Sequence, residues 1–176
     1  MKSSFGYFAD DGREFVVTQA DTPRALVNYF WNPVFVSGVS QHGGGDGVYK
    51  ERAIQYIDPR GRNLMVRDCH RYFYLRDERD GEVWSPGWHP VQRELDHFEC
   101  RHGLGYSVIS SALNGIKTQL RVFVPSQDPC EIWTVIVSNE RPEEARLRPT
   151  SLPISPDRAP RTASPWESAA AASPMS

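Results

Sequence analysis

The sequence predicts an antiparallel all-β domain, and three observations support this fold class. Asp-Gly or Asn-Gly dipeptides occur at Asp11-Gly12, Asp80-Gly81 and Asn114-Gly115, each between residues that favour strands. Both dipeptides accept the positive φ angles of type I′ hairpin turns, whose twist matches that of antiparallel strands. Apolar and polar residues alternate between positions 116 and 124, and no long stretch shows a helical period. A sandwich or a large antiparallel sheet is therefore favoured over an α/β fold.

Strands are expected where apolar and β-branched residues lie between these turn signals. The candidates in chain order are Glu14–Thr18, Tyr72–Leu75, Tyr106–Ser110, Ile116–Val124 and Glu131–Ser138. The alternation in Ile116–Val124 predicts one buried face and one face in contact with water. Glu131–Ser138 is almost continuously apolar, which predicts a central strand that is covered on both sides.

Length, charge and cysteine content limit the expected partners and location. The 176 residues suffice for one domain with its own core, and a net charge of -2 provides no basic surface for nucleic acid. No apolar run approaches the length of a membrane span, and the N-terminus lacks a signal peptide. The cysteines, Cys69, Cys100 and Cys130, are odd in number and have no zinc-binding spacing. We therefore expect a soluble cytoplasmic protein with reduced thiols that binds neither nucleic acid nor a membrane.

The composition changes near Arg141. The remaining residues contain seven of the fourteen prolines and end in a segment rich in alanine and serine. Such a segment cannot bury enough apolar surface to fold alone. The predicted organisation is a β domain over residues 1–140, followed by a disordered tail over residues 141–176.

Few groups in the sequence suggest chemistry. His89, His97 and His102 could be metal ligands, but their spacings match neither a strand face nor a helical turn, so no metal site is predicted. A cluster of carboxylates at one turn is expected to be solvated at a hairpin tip rather than to act as an acid–base pair; it comprises Asp77, Glu78, Asp80 and Glu82. No GxSxG elbow or activated cysteine is present, so no catalytic residue is predicted.

Two segments are candidates for ligand contact. The glycine-rich loop from His42 to Tyr49 lacks the P-loop pattern. It is either a flexible connection or a backbone that a ligand or another domain approaches closely. Trp84 and Trp88 flank a Ser-Pro-Gly turn. Either both rings pack in the core, or at least one is exposed and stacks on the face of a sugar.

Several segments, taken together, resemble a known family. They are GYFADDGREFVVTQADTP, VNYFWNP, SQHGGGDGVYKE, YLRDERDGEVWSPGWHPVQ and ECRHGLGYSVISSALNGI. They are similar to the opening of cellobiose phosphorylases and their relatives, the inverting glycoside phosphorylases of glycoside hydrolase family 94, formerly glycosyltransferase family 36. The resemblance covers residues 5 to 140. It departs from the family at Arg24-Ala25-Leu26 and within the glycine-rich loop, at Gly45-Asp46-Gly47-Val48.

The resemblance implies a fold and a function. The family's N-terminal domain is an antiparallel, mutarotase-like β super-sandwich that supports dimerisation and lends loops to the active site. The general acid and the site for the co-substrate, inorganic phosphate, belong to a separate helical barrel, and no residue here matches them. We therefore expect a carbohydrate-binding N-terminal module of a phosphorylase acting on β-linked glucosides such as cellobiose, without a cofactor and inactive by itself. The alternative is a non-catalytic structural or dimerisation remnant, and a homodimer is among the expected partners.

Carried over by position, the resemblance and the aromatic pair together predict the sugar contacts. These are His42, Gly43, Gly44, Tyr49, Trp84 and Trp88. The resemblance also implies a strand-rich continuation after residue 140, where this sequence instead becomes rich in alanine, proline, serine and arginine. We therefore expect an incomplete sandwich in a truncated or frame-shifted gene product.

Overall fold

The computed structural model describes residues 5–49 and 71–153, with side chains for residues 5–45 and 72–151. Within these residues the chain forms twelve strands and no helix. In chain order they are β1 Gly6–Phe8, β2 Glu14–Val17, β3 Val27–Trp31, β4 Phe35–Ser40, β5 Gly45–Tyr49, β6 Arg71–Asp77, β7 Val83–Trp84, β8 His97–Gly103, β9 Tyr106–Leu113, β10 Ile116–Phe123, β11 Ile132–Asn139 and β12 Leu147–Pro153.

The strands form three antiparallel sheets. The largest has six strands in the order β1-β2-β8-β9-β10-β11, and two three-stranded sheets have the orders β12-β6-β7 and β3-β4-β5. Every strand pair is antiparallel. The predicted antiparallel all-β fold class is confirmed.

All three predicted hairpin turns are confirmed. Asp11-Gly12 joins β1 to β2, Asp80-Gly81 joins β6 to β7, and Asn114-Gly115 joins β9 to β10. At the last turn Asn114 has a φ of 49° and Gly115 a φ of 75°. These are the positive angles that a type I′ turn requires, because its twist must follow that of the two strands.

Two apolar clusters hold the sheets together. The first joins β3 and β4 to the inner face of the six-stranded sheet; it comprises Val17, Phe30, Val39, Cys100, Ile109, Leu120 and Val122. The second joins β6 and β7 to the end of β9 and the start of β10; it comprises Leu75, Trp84, Leu113 and Ile116. The alternating burial along β10 confirms its predicted buried and wet faces.

Strand β11 does not have the predicted central position. It lies at the edge of the six-stranded sheet in the described part of the chain, and Ile136 on it is 54% exposed. Its inward residues Trp133 and Val135 pack against the first cluster, whereas its outer face remains open. An apolar run predicts a strand that is covered on both faces, but whether a neighbouring segment covers each face depends on the rest of the fold.

The segment predicted as a disordered tail is corrected between residues 141 and 153. The side chain of Arg141 is 7% exposed and forms an ion pair with Asp77, with 2.5 Å between Nη1 and Oδ2. Strand β12 pairs along the whole of β6 as an edge strand. The prolines of β12 make its segment look like a disordered tail in the sequence, but proline is tolerated on an edge strand. Residues 154–176 lie outside the described part of the chain.

Asp77 also differs from its predicted solvated state. Its residue surface is only 2% exposed, because β6 carries it beneath the turn rather than at the tip. Glu82, at the other side of the turn, accepts hydrogen bonds from Arg93 and Asn114, each at 2.7 Å. Two of the four clustered carboxylates therefore hold structure together, and Glu78 and Asp80 are exposed as predicted.

Candidate functional site

The glycine-rich segment is a hairpin rather than a loop. The amide of Ser40 donates to the carbonyl of Gly44 at 2.8 Å, and β5 then pairs with β4. A Cβ on Gly45 would lie 1.9 Å from the carbonyl oxygen of Gly38, so the strand pair can close only with glycine there. The predicted flexible connection over residues 42–49 is therefore a turn followed by a strand.

Two buried side chains anchor this turn to the segment before β3. Gln41 Oε1 accepts a hydrogen bond from the amide of Leu26 at 2.7 Å, and Gln41 Nε2 donates to Thr22 Oγ1 at 2.5 Å. His42 Nε2 donates to the carbonyl of Ala20 at 2.5 Å. Because these polar groups are all satisfied, the turn has a defined position although it is rich in glycine.

A second turn, Ser85 to Trp88, lies directly against the first. A Cβ on Gly87 would lie 1.9 Å from the carbonyl oxygen of His42. The amide of Trp88 donates to the carbonyl of Ser85 at 2.8 Å, and Trp88 has a φ of 74°. The close backbone approach expected of the glycine-rich segment therefore occurs, but the approaching group is another segment of the same chain.

Three aromatic rings meet where the two turns touch. The rings of His42 and His89 stack with their centroids 4.3 Å apart, and Trp88 meets His89 edge-on at 4.9 Å and His42 at 5.5 Å. We call these three residues the ring cluster. Such contacts restrict ring orientation, so the cluster holds Trp88 in place despite its unusual backbone angle.

Trp88 lines a cleft of about 430 Å³ beside the ring cluster. The walls combine apolar side chains with hydrogen-bonding groups, and they comprise Ala20, Asp21, Trp88, Gln92, Glu94, Leu95 and Phe98. Gln92 also has a positive φ of 57°, and its amide donates to the carbonyl of Trp88 at 2.7 Å. An aromatic ring beside carboxylate and amide groups can stack on a sugar and accept bonds from its hydroxyls.

The predicted sugar contacts have different positions in the structure. Trp84 is only 2% exposed within the second apolar cluster, so this structure corrects its expected role. His42, Gly43 and Gly44 are buried beneath the second turn and act as its support. The side chain of Tyr49 lies outside the described residues. Trp88 is half-buried and lines the cleft, and its contact with a sugar stays a prediction.

The other cleft residues were missed by sequence reasoning. Asp21, Gln92 and Glu94 come from two segments about seventy positions apart and belong to no recognisable motif. The sequence suggests His89 only as a candidate metal ligand, whereas in the structure its ring stacks on His42. Its position within WSPGWHP, next to the tryptophan and proline of a turn, is the one signal that could have indicated it.

A larger groove of about 510 Å³ crosses the six-stranded sheet. Its lining includes His97, Lys117, Gln119 and Ile136, with no tryptophan, tyrosine or phenylalanine. A sugar would therefore find no large ring on which to stack there. The cleft beside Trp88 is the better candidate site.

The histidines considered as metal ligands are dispersed. His89 belongs to the ring cluster, His97 is exposed on β8, and His102 is in the protein interior. Across residues 5–49 and 71–153, no group of three histidine, cysteine, aspartate or glutamate side chains could hold a metal ion.

Cys100 and His102 lie two residues apart on the inner face of β8. The distance from Cys100 Sγ to His102 Nε2 is 3.7 Å. Burial raises the pKa of the Cys100 thiol far above its usual range and lowers the pKa of His102 to about 4. Both groups are therefore neutral at pH 7, whereas a cysteine nucleophile requires a thiolate.

His102 is expected to make the fold sensitive to acid. Its Nε2 donates to the carbonyl of Leu26 at 3.0 Å, and Ser107 Oγ donates to its Nδ1 at 2.9 Å. Its pKa is lowered from 6.5 to about 4, so between these values the unfolded chain binds a proton that the folded chain does not. The free energy of unfolding should fall by about 3 kcal/mol from this group as the pH drops from 7 to 4.

Urea unfolding of wild type and His102→Gln from pH 7 to pH 4 measures this effect. The variant should lose its stability less steeply over this range, whereas His97→Gln, at an exposed position on the same strand, should follow wild type. Parallel curves for wild type and His102→Gln would contradict the interpretation.

The fold and cleft define an antiparallel β-sandwich module with an aromatic cleft at one pair of turns. The family model for "Glycosyl hydrolase 94, supersandwich domain" matches residues 13–152. The chain therefore belongs to glycoside hydrolase family 94, and the predicted super-sandwich domain of a cellobiose-phosphorylase-like enzyme is confirmed. The match ends at residue 152, one residue before the end of β12, in agreement with the corrected end of the domain.

Three similar proteins are phosphorylases. Solabiose phosphorylase of Paenibacillus borealis is 51% identical over 148 residues, which cover 83% of this chain and 19% of that protein. The 3-O-beta-D-glucopyranosyl-beta-D-glucuronide phosphorylase of the same organism is 38% identical, over 86% of this chain and 18% of that protein. N,N'-diacetylchitobiose phosphorylase of Vibrio proteolyticus is 35% identical, over 77% of this chain and 17% of that protein.

The chain spans about a fifth of the length of these relatives. In the part that the structure describes, no helix has the length and apolar character needed to cross a membrane.

Proposed function

We propose that this chain is the carbohydrate-contacting N-terminal module of an inverting glycoside phosphorylase that acts on β-linked glucosides such as cellobiose. In this proposal the general acid and the site for inorganic phosphate lie outside these 176 residues, and no cofactor is needed. Family membership supports the activity class. The observation that carries the sugar contact is the position of Trp88, held by the ring cluster at the wall of a cleft.

The chemistry of the cleft suits a pyranose ring. One face of a β-linked glucoside is lined with C–H groups, which pack on an indole ring, while its equatorial hydroxyls point outwards to hydrogen-bonding groups. Gln92, Asp21 and Glu94 supply amide and carboxylate oxygens near Trp88. The ring cluster fixes the indole before the ligand arrives, which lowers the entropy cost of binding.

Removal of the Trp88 ring is expected to weaken sugar binding by about fivefold, since a stacking contact contributes about 1 kcal/mol. Cellobiose is titrated into the full chain, and binding is followed by tryptophan fluorescence and calorimetry. Trp88→Ala should show the weakening, and Trp88→Phe, which restores a smaller ring, should recover part of the affinity. Trp31→Ala is the matched control because Trp31 is 69% exposed on β3, away from the cleft lining.

Circular dichroism and the urea midpoint establish that each variant is folded before its affinity is compared. Equal affinities for wild type and Trp88→Ala, or a loss confined to Trp31→Ala, would contradict the assignment to this cleft.

A structural or dimerisation module is the second candidate function. The observation in its favour is β11, an edge strand in the described part of the chain that exposes Ile132, Ile136 and Val137. An open apolar edge favours pairing with another chain. The same titration separates the candidates, because no response to millimolar sugar from a chain that elutes as a dimer favours the second.

A further inference from the structure

We propose that the Trp88 cleft selects sugars by charge, preferring neutral and cationic rings and rejecting uronates. This inference rests on the proposed carbohydrate contact and adds its selectivity. Two of the seven lining residues carry a carboxylate, Asp21 and Glu94, and none carries a positive charge. The cleft therefore combines an aromatic surface for stacking with a negative field around it.

Neither carboxylate is neutralised by an ion pair within the described residues. Arg93, next to Glu94 in the chain, forms its ion pair with Glu82, with 2.7 Å between Nε and Oε1, and its charge interacts with Glu94 at longer range without an ion pair. Asp21 and Glu94 are both exposed, so they are charged acceptors available to a ligand.

The two sides of the cleft come from distant parts of the sequence. Asp21 precedes β3 and follows Ala20, whose carbonyl accepts the hydrogen bond from His42. Gln92 and Glu94 lie after the turn that carries Trp88. The contacts of His42 with Trp88 and His89 therefore help to bring both acidic residues to the same cleft. The acidic pair is a product of the same packing that positions the indole.

The expected effect of this field is modest but directional. Two carboxylates within several ångströms of a bound charge in a wet cleft change its affinity by about fivefold at low salt, and added salt screens most of this change. Hydroxyl groups donate hydrogen bonds to carboxylates, so a neutral ring retains favourable contacts. In a uronate, a carboxylate takes the place of the hydroxyl group at C6. It cannot donate a hydrogen bond, and the cleft carboxylates repel it.

Three disaccharides of matched size test the selectivity by calorimetry with the full chain. They are cellobiose, its derivative with one C6 oxidised to a carboxylate, and its derivative with a protonated 2-amino group. At 20 mM salt the cationic sugar should bind about fivefold more tightly than cellobiose, and the uronate about fivefold more weakly. At 500 mM salt the three affinities should converge.

The variant Asp21→Asn/Glu94→Gln should lose most of this discrimination while it still binds cellobiose. Asp10→Asn/Glu144→Gln is the matched control, since it removes the same charge from exposed sites outside the cleft and should keep the wild-type order. Wild type that binds all three sugars equally would overturn the charge selection and leave the proposed function standing. Absence of cellobiose binding would overturn the proposed function itself, whatever the charged sugars do.

Discussion

Replacement of Gly87 by alanine is expected to reduce the free energy of unfolding by about 3 kcal/mol or more. The added Cβ would lie 1.9 Å from the carbonyl oxygen and 2.5 Å from the carbonyl carbon of His42, so both backbones would have to move. Overpacking that shifts side chains and backbone typically costs about 1–3 kcal/mol and occasionally more. The upper end is expected here because the obstacle is backbone rather than a flexible side chain. Urea unfolding measures the loss.

Gly105→Ala is the matched control for this variant. A Cβ at Gly105 meets nothing within 4 Å, but its φ of +84° makes alanine strained, so a loss of about 1 kcal/mol is expected. A loss for Gly87→Ala no larger than that of the control would show that the two turns do not pack as closely as described.

The same substitution is expected to abolish the fluorescence response to cellobiose. Trp88 follows Gly87 directly, and its ring contacts His42, whose carbonyl the new methyl group would displace. Separation of the turns therefore opens the ring cluster and releases the indole from the cleft wall. A variant that remains folded at low temperature but keeps full affinity would disconnect the packing of the turns from sugar binding.

Replacement of Arg141 by methionine is the second substitution with a large expected effect, about 3–5 kcal/mol of stability. Arg141 Nη1 lies 2.5 Å from Asp77 Oδ2, and the two side chains are 7% and 3% exposed. Its Nε also donates to the carbonyl of Asn114 at 2.7 Å, so one guanidinium connects two hairpins. Methionine fills a similar volume but leaves a buried carboxylate without its cation.

The ionisation of Asp77 supports the size of this effect. Burial by itself would raise its pKa, but hydrogen bonds from the Arg79 amide and the Arg141 guanidinium outweigh burial and hold the pKa below its usual value. A lowered pKa means that this carboxylate adds stability at neutral pH, which is lost as the pH falls below the usual range for aspartate. Without Arg141 the sign reverses, so the penalty of Arg141→Met should shrink in acid.

Lys117→Met is the control for the loss of an exposed ion pair. Lys117 Nζ lies 2.6 Å from Glu140 Oε1, but the side chains are 57% and 52% exposed, so a loss below about 1 kcal/mol is expected. The double variant Asp77→Asn/Arg141→Met should recover part of the stability because no buried charge remains. Equal losses for Arg141→Met and Lys117→Met would contradict the structural role of the buried pair.

The hairpin turns and the two faces of β10 can be predicted from the sequence, because they depend on local turn chemistry and on strand alternation. Asn114-Gly115 predicts its hairpin because only a few residue types accept positive φ, and this preference acts within four residues. The faces of β10 follow from its period of two in the same way. The sequence does not predict strand β12, because Pro149 and Pro153 give its segment the composition of a disordered tail. An edge strand can nevertheless contain both prolines.

The sequence predicts only part of the candidate site. Trp84 and Trp88 are both tryptophans and flank one turn. Trp84 is nevertheless buried in the second apolar cluster, whereas Trp88 lines the cleft. Nothing local separates them, because the difference depends on which distant segment each ring meets. Asp21 and Glu94 show the same dependence, since neither belongs to a motif and they line one cleft because two distant segments pack together.

The antiparallel all-β class, the three hairpin turns and membership of glycoside hydrolase family 94 follow from the amino-acid sequence alone. These depend on backbone preferences over a few residues and on ordered motifs along the chain. The folded structure was needed to show that Gly87 packs against His42, that Asp77 is buried with Arg141, and that β11 lies at an edge of the described sheet. Such features depend on contacts between segments tens of residues apart, and burial and charge pairing are properties of those contacts rather than of any one segment.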